Sequence, residues 1–297
     1  MIESKPYMWL IGGAIFIGVL ILCIIATAAI QGSQQFPTSK EELVKFHSDQ
    51  CERPQSLSSV VERENTWSNL AYLLAGLLIL LRARSIPAIL FGANLCALAL
   101  FSGLYHATLR ELPQVMDVAW VYCALFAAVV FSIYTLARLN NSDPPWWVWV
   151  GLVVGLDIFG LAIKRLLHWD STVVFIVLVG LLAIIFASVV VYSAVNGKIA
   201  SQFGGYYGWL YLLLELVGVG IVAGFGFMFR LGDGYDVMGK VVTEKFLCHP
   251  DSIFQAHAAW HILSAAALLL TYDIFCQFQK GSNVSRYDQT TVLPDLS

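Results

Sequence analysis

Long apolar stretches constrain this chain more than any other feature of its sequence. A helix that spans a bilayer needs about 20 mostly apolar residues, because lipid offers no partner to exposed backbone groups. Eight stretches qualify, at roughly residues 8–30, 65–82, 86–108, 117–137, 146–163, 172–195, 206–230 and 255–279. We therefore predict an all-α integral membrane protein, a seven-transmembrane-helix bundle with one additional N-terminal transmembrane helix.

The composition supports a membrane protein and argues against other classes. Of the 297 residues, 58% are apolar and only 12% are charged, which is unusual for a soluble domain. The net charge of -3 comes without a basic block, so we expect no nucleic-acid partner. The six cysteines are too few for a disulfide scaffold and lack the short paired spacings of a structural zinc module.

Four regions follow from this pattern. Residues 1–30 are predicted to be a retained transmembrane anchor, because the apolar run exceeds the short core of a signal peptide. Residues 31–64 form a polar extramembrane loop, 65–279 the helical domain, and 280–297 a disordered tail.

The topology groups distant parts of the chain. If the seven later spans alternate across the bilayer, the loop before residue 65, the turn near 109–117 and the entry near 255 share one face. The polar loop Leu231–Phe254 contains several glycines, and we expect it to be irregular or to hold a short helix.

Three histidines on this face could bind one metal ion. His257 and His261 are four residues apart, so a helix places both imidazoles on one side, although such a pair can also be interfacial or hydrogen-bonded in a core. His106 would complete three ligands with a fourth position open, which is the pattern of catalytic zinc. Zinc lowers the pKa of bound water to about 7 and so supplies hydroxide at neutral pH.

Two further residues could take part in chemistry. Asp117 follows His106 by eleven residues, after a turn marked by Pro113, and could accept a proton or simply cap the next helix. Ser102 precedes His106 by one helical turn and could orient it or stabilise an oxyanion. A helix serine bonded to its own backbone is the alternative for Ser102.

An acidic group lies on the same face of the predicted bundle. Asp49, Glu52 and Glu62 offer the oxygen ligands that Ca2+ prefers, but carboxylates of a loop are more often simply solvated. From these residues alone, solvated carboxylates are the favoured interpretation.

Taken together, the motifs resemble the alkaline ceramidases, a family of seven-span zinc amidohydrolases. The similar segments are Ser102-Gly-Leu-Tyr-His106, Asp117, His257-Ala-Ala-Trp-His261, Glu62-Arg-Glu-Asn65-Thr-Trp-Ser68-Asn69 and Asp49-Gln-Cys51-Glu52. They lie between residues 49 and 279. The chain departs from the family at Gln50, where the family has tryptophan, and at Pro54, where it has asparagine.

The resemblance implies a role for each matching residue. His106, His257 and His261 would be zinc ligands, and Ser102 and Asp117 catalytic residues. Asp49, Gln50, Glu52 and Glu62 would form a calcium site, with Gln50 offering a carbonyl oxygen. Cys51 and Cys248, in the two polar loops, would form a disulfide, which would make this face extracytoplasmic or lumenal.

The resemblance also implies a substrate. Ceramide, or a related N-acyl sphingolipid, would be cleaved to a sphingoid base and a fatty acid. A zinc-containing lipid receptor or a lipid-remodelling hydrolase of the same superfamily, which includes adiponectin-type receptors, is the alternative. A transporter that relays protons through His106, Asp157 and Glu215 is a third hypothesis.

Overall fold

The computed structural model describes Glu52 and residues 60–142, 144–167, 171–196, 208–232, 235–237, 240–243 and 252–288. The predicted N-terminal span at 8–30 and the end of the tail lie outside these residues. So do Asp49, Gln50 and both cysteines of the predicted disulfide.

The described chain is almost entirely helical, with a helix at each of the last seven predicted spans. The helices are α1 (Arg63–Ser68), α2 (Leu70–Arg82), α3 (Ile86–Thr108), α4 (Glu111–Leu139), α5 (Trp146–Ala162), α6 (Ser171–Val195), α7 (Gly208–Gly232) and α8 (Ala256–Asp288). A π-helical turn, Ile163–Leu167, continues α5.

Within this part of the chain, five helices are long and apolar enough to cross a membrane. They are Ile86–Thr108, Leu112–Leu139, Trp146–Arg165, Val173–Val195 and Ala256–Gln279. The apolar helix Leu212–Met228 is shorter, and α2 has 13 residues. The prediction of a helical membrane protein is therefore confirmed, whereas the count of seven spans is not.

Helix α4 begins earlier than predicted. It starts at Glu111 rather than near residue 117, after Arg110 in an extended conformation. Pro113, which the sequence suggested as a turn marker, lies in the first helical turn, where its missing N–H removes no helical hydrogen bond. Asp117 consequently lies inside the helix and is not its N-cap.

Two other segments also differ from expectation. In the loop Leu231–Phe254, the described residues include a two-stranded antiparallel hairpin, β1 (Tyr235–Val237) and β2 (Lys240–Thr243), which was not predicted. Its valines are β-branched and favour strands. At the other end, α8 continues to Asp288, so the first part of the predicted tail is helical. A formed helix propagates at little cost even through polar sequence.

Helix α3 lies at the centre of the packing and is buried along most of its length. Ser85 caps its first turn by accepting a hydrogen bond from the backbone of Ala88, and Pro87 follows in that turn. α3 packs against α2 and α4, while α8 packs against α2, α4 and α7. Stacked rings of Phe131 and Tyr272, 5.2 Å apart, join α4 to α8.

Two glycines set how closely α2 approaches α3. A Cβ atom at Gly76 would lie 2.6 Å from Cys96 Sγ and 2.7 Å from the carbonyl oxygen of Gly92. No side chain fits there without moving the helices apart. Small residues allow this kind of backbone contact between membrane helices.

We predict that Gly76→Ala destabilises the bundle by about 1–3 kcal/mol, the usual cost of overpacking. The measurement is thermal unfolding in detergent, followed by circular dichroism. Gly155→Ala is the matched control, because a Cβ there would meet nothing within 4 Å. An unchanged unfolding temperature for Gly76→Ala would contradict the close contact.

Candidate metal centre

Three buried histidines meet where α3 ends and α8 begins. His106, His257 and His261 are 0%, 8% and 3% exposed, and one nitrogen from each lies within 4.8 Å of the other two. Their ring centroids are 4.6 to 5.2 Å apart. The structure therefore brings these three predicted residues together as a group that could hold a metal ion, and metal binding itself remains a prediction.

Glu62 holds His106 at two points. The Glu62 backbone N–H donates to the carbonyl oxygen of His106 at 3.0 Å, satisfying a C-terminal carbonyl of α3. The Glu62 side chain, itself almost fully buried, lies with Oε2 2.6 Å from His106 Nδ1. A carboxylate next to an imidazole N–H accepts a hydrogen bond from it. The hydrogen of His106 therefore lies on Nδ1, and the lone pair of Nε2 is directed away from Glu62.

His106 Nε2 fits a metal ligand. It is buried and has no hydrogen-bond partner among the described residues. A buried polar atom in this condition calls for an explanation, and coordination of a cation would supply one. Three imidazole nitrogens around one point suit Zn2+, whereas Ca2+ and Mg2+ prefer oxygen ligands.

Ser68 contacts Nδ1 of His261, just as Glu62 contacts Nδ1 of His106. Its Oγ lies 2.8 Å from His261 Nδ1 and also donates to the backbone carbonyl of Asn65 at 2.9 Å. Asn65 in turn donates through Nδ2 to Glu62 at 3.2 Å. The short helix α1 thus supports two of the three imidazoles.

Glu52 stabilises α1 at its N-terminus. Its carboxylate oxygens accept the backbone N–H groups of Glu64 at 2.8 Å and of Asn65 at 2.9 Å. Burial raises the pKa of the Glu52 carboxyl, and these two hydrogen bonds act in the opposite direction. A helix of six residues is marginal alone, so this cap helps to keep α1 formed.

The described part of the predicted calcium group has other contacts. Both oxygens of Glu52 accept backbone hydrogens, and Oε2 of Glu62 serves His106 and Asn65. Asp49 and Gln50 lie outside the described residues. Calcium binding therefore remains a prediction, but Glu62 has a clear place in the histidine cluster.

The two predicted catalytic residues lie on α3, which carries His106, and on the following helix α4. Ser102 is buried on α3, one turn before His106. Asp117 reaches the same region because α3 and α4 are joined by only Leu109 and Arg110, with Leu109 in the left-handed conformation at φ 48°. Asp117 is partly buried and close enough for its charge to act on His106 and on the Tyr72 hydroxyl.

Tyr72 and Ser264 also support the cluster, and neither was singled out from the sequence. The Tyr72 ring lies 5.8 Å from the His261 ring, and its hydroxyl hydrogen-bonds Ser264, one turn beyond His261 on α8. The three-residue spacing of Glu62, Asn65 and Ser68 could have indicated their common helix face.

We predict that Glu62→Gln weakens zinc binding by about 10–100-fold, the usual effect of losing a partner of a metal-bound histidine. The glutamine oxygen can still accept from Nδ1, and the backbone contact to His106 is unaffected, so mainly the charge is lost. Competition with a chromogenic chelator measures the affinity. Glu64→Gln, a neighbouring loss of charge whose side chain has no contact with His106, should bind zinc like the wild type.

Comparisons with known proteins do not identify a family for this chain. No protein-family model matches the chain, and no curated protein matches it at a significant level. What the structure itself establishes is a helical membrane protein with a buried cluster of three histidines, backed by a carboxylate and a serine.

Proposed function

We propose that the protein is a zinc-dependent hydrolase that cleaves the amide bond of a membrane lipid, with ceramide or a related N-acyl sphingolipid as substrate. The observation that carries this proposal is the buried cluster of His106, His257 and His261, whose nitrogens lie within 4.8 Å of one another. The choice of an amide, and of ceramide in particular, rests on the resemblance of the motifs to alkaline ceramidases.

The charges around the cluster support a divalent cation. Glu62 contacts His106, and Asp117 is near enough for its charge to act on His106, whose imidazole must be neutral to bind a metal. A charge of +2 balances both carboxylates. Glu62 is almost fully buried, and a cation held by the imidazole beside it would help to offset its charge.

Zinc bound there would lower the pKa of water to about 7 and polarise the substrate carbonyl. In this proposal, Asp117 would take a proton from the attacking water and return it to the leaving amine. Ser102, one turn from His106, has a hydroxyl that could donate to the developing oxyanion. Glu62 and Ser68 would hold two imidazoles in position throughout.

The location of the cluster suits a substrate that resides in lipid. His106 lies two residues before the end of the apolar helix α3. If α3 spans the membrane, His106 lies near the bilayer surface, where the polar groups of lipids are. Ile262, adjacent to His261, is 52% exposed, and Trp67, adjacent to Ser68, is 56% exposed. Apolar side chains therefore point outward next to the site, where acyl chains would approach.

We also propose that α1–α2 and α7 complete seven spans and that the cluster faces the extracytoplasmic or lumenal side. The expected Cys51–Cys248 disulfide supports that orientation, since disulfides persist in oxidising compartments. Asp157 accepts from Asn94, and Glu215 from Gln277, so each carboxylate has its own amide partner. These pairings favour structural roles over the proton relay of a transporter.

Purified protein incubated with ceramide should release a sphingoid base and a fatty acid, detected by mass spectrometry. Asp117→Asn should lower turnover by about 100–10,000-fold, the usual contribution of a general base, and His261→Ala should abolish it. Asp273→Asn, which removes a carboxylate paired with Arg82, is the control expected to retain activity. Full turnover by Asp117→Asn or His261→Ala would refute the assignment.

We further predict that the purified protein contains one zinc ion, and that a strong chelator abolishes turnover until zinc is restored. Elemental analysis measures the stoichiometry. Stoichiometric zinc and bound lipid without turnover would support the receptor alternative instead. A protein that carries no zinc and binds none would contradict both.

A further inference from the structure

Ser68 makes two hydrogen bonds with a single proton. Its Oγ lies 2.9 Å from the backbone carbonyl oxygen of Asn65 and 2.8 Å from Nδ1 of His261. A carbonyl oxygen can only accept, so the serine hydrogen is directed at Asn65. The contact to His261 then requires that Nδ1 donate to Ser68.

This direction fixes the tautomer of His261. With its proton on Nδ1, the neutral imidazole presents the lone pair of Nε2, the atom then able to bind a metal. His106 reaches the same tautomer independently, through the Glu62 carboxylate. His106 on α3 and His261 on α8 therefore have the same tautomer. Their hydrogen-bond partners, Glu62 and Ser68, lie six residues apart in sequence.

The rest of the surroundings limits how the His261 ring can move. The Tyr72 ring lies 5.8 Å away at a tilt of 57°, and its hydroxyl is anchored to Ser264. Ser264 also donates to the carbonyl of Trp260 at 2.6 Å. Tyr72 thus bounds the position of the ring, and Ser68 contacts the nitrogen that carries the proton.

We propose that Ser68 is a positioning residue that sets the metal-binding tautomer of His261, with the Asn65 carbonyl directing the serine hydroxyl. This inference rests on the metal centre of the proposed function. Without the serine oxygen, a buried Nδ1–H would lack this acceptor, and moving the proton to Nε2 would occupy the lone pair needed for the metal.

The test compares Ser68→Ala and Ser68→Thr with the wild type, using the full chain in detergent. Zinc affinity is measured by competition with a chromogenic chelator, and ligand geometry by the visible absorption of the Co2+ form. We expect Ser68→Ala to bind zinc about 10–100-fold more weakly and to alter the Co2+ spectrum. Ser68→Thr, which keeps the hydroxyl, should restore both to near the wild-type values.

Ser132→Ala is the matched control. Ser132 is a buried serine of α4 that donates to its own helix at Ala128, so its loss should leave zinc affinity unchanged. Thermal unfolding of each variant tests whether Ser68→Ala stays folded; Ser68→Thr provides a second reading if it does not.

Two results would overturn the role of Ser68. The first is wild-type zinc affinity in Ser68→Ala. The second is a pair of folded variants, Ser68→Thr and Ser68→Ala, that bind zinc equally weakly. Zinc bound equally well by the wild type and Ser68→Ala would leave the proposed metal centre intact. A wild-type chain that binds no zinc would overturn both proposals.

Discussion

The hydrogen bond between Glu62 and His106 is the interaction on which the arrangement of this end of the bundle depends. Both side chains are almost completely buried, and a carboxylate in such a place is costly unless its oxygens are paired. Pairing it draws the start of α1 against the end of α3, where the Glu62 backbone also satisfies a terminal carbonyl. The direction of α1 then brings Ser68 to His261.

Different interactions hold the helices together in the apolar and the polar parts of the molecule. Between α2 and α3, and between α4 and α8, helix contacts depend on close glycine packing and stacked aromatic rings. At the histidine end, they depend on directional hydrogen bonds among buried side chains. Because such bonds are strongly penalised when broken in a dry interior, they specify the positions of these side chains more strictly than apolar packing does.

Much of the fold could be predicted from hydrophobic length, because lipid permits few alternatives to helices. The three histidines could also be predicted, since helical spacing places His257 beside His261 and topology places His106 on the same face. The predicted start of α4 was wrong because Pro113 is compatible with a first helical turn as well as with a loop. The hairpin was missed because strand pairing in a glycine-rich loop depends on contacts beyond local sequence.

The role of α1 could not be predicted for a similar reason. Glu62 was assigned to calcium, yet its contact with His106 crosses 44 positions of sequence. Asn65 and Ser68 belong to a recognisable motif, but the motif alone does not reveal which atom each one touches. Only the packed structure shows that a six-residue helix supports two imidazoles from different elements.

The contact between Ser68 and His261 joins residues 193 positions apart, one near the beginning of the described chain and one in its last helix. During synthesis the Glu62, His106 and Asp117 half emerges first, and the other two histidines arrive only with α8. A nascent chain therefore carries His106 without the other two histidines while residues 107–256 are being made. The cluster can form only after α8 has been made, so any ligand that needs all three histidines would bind late in folding.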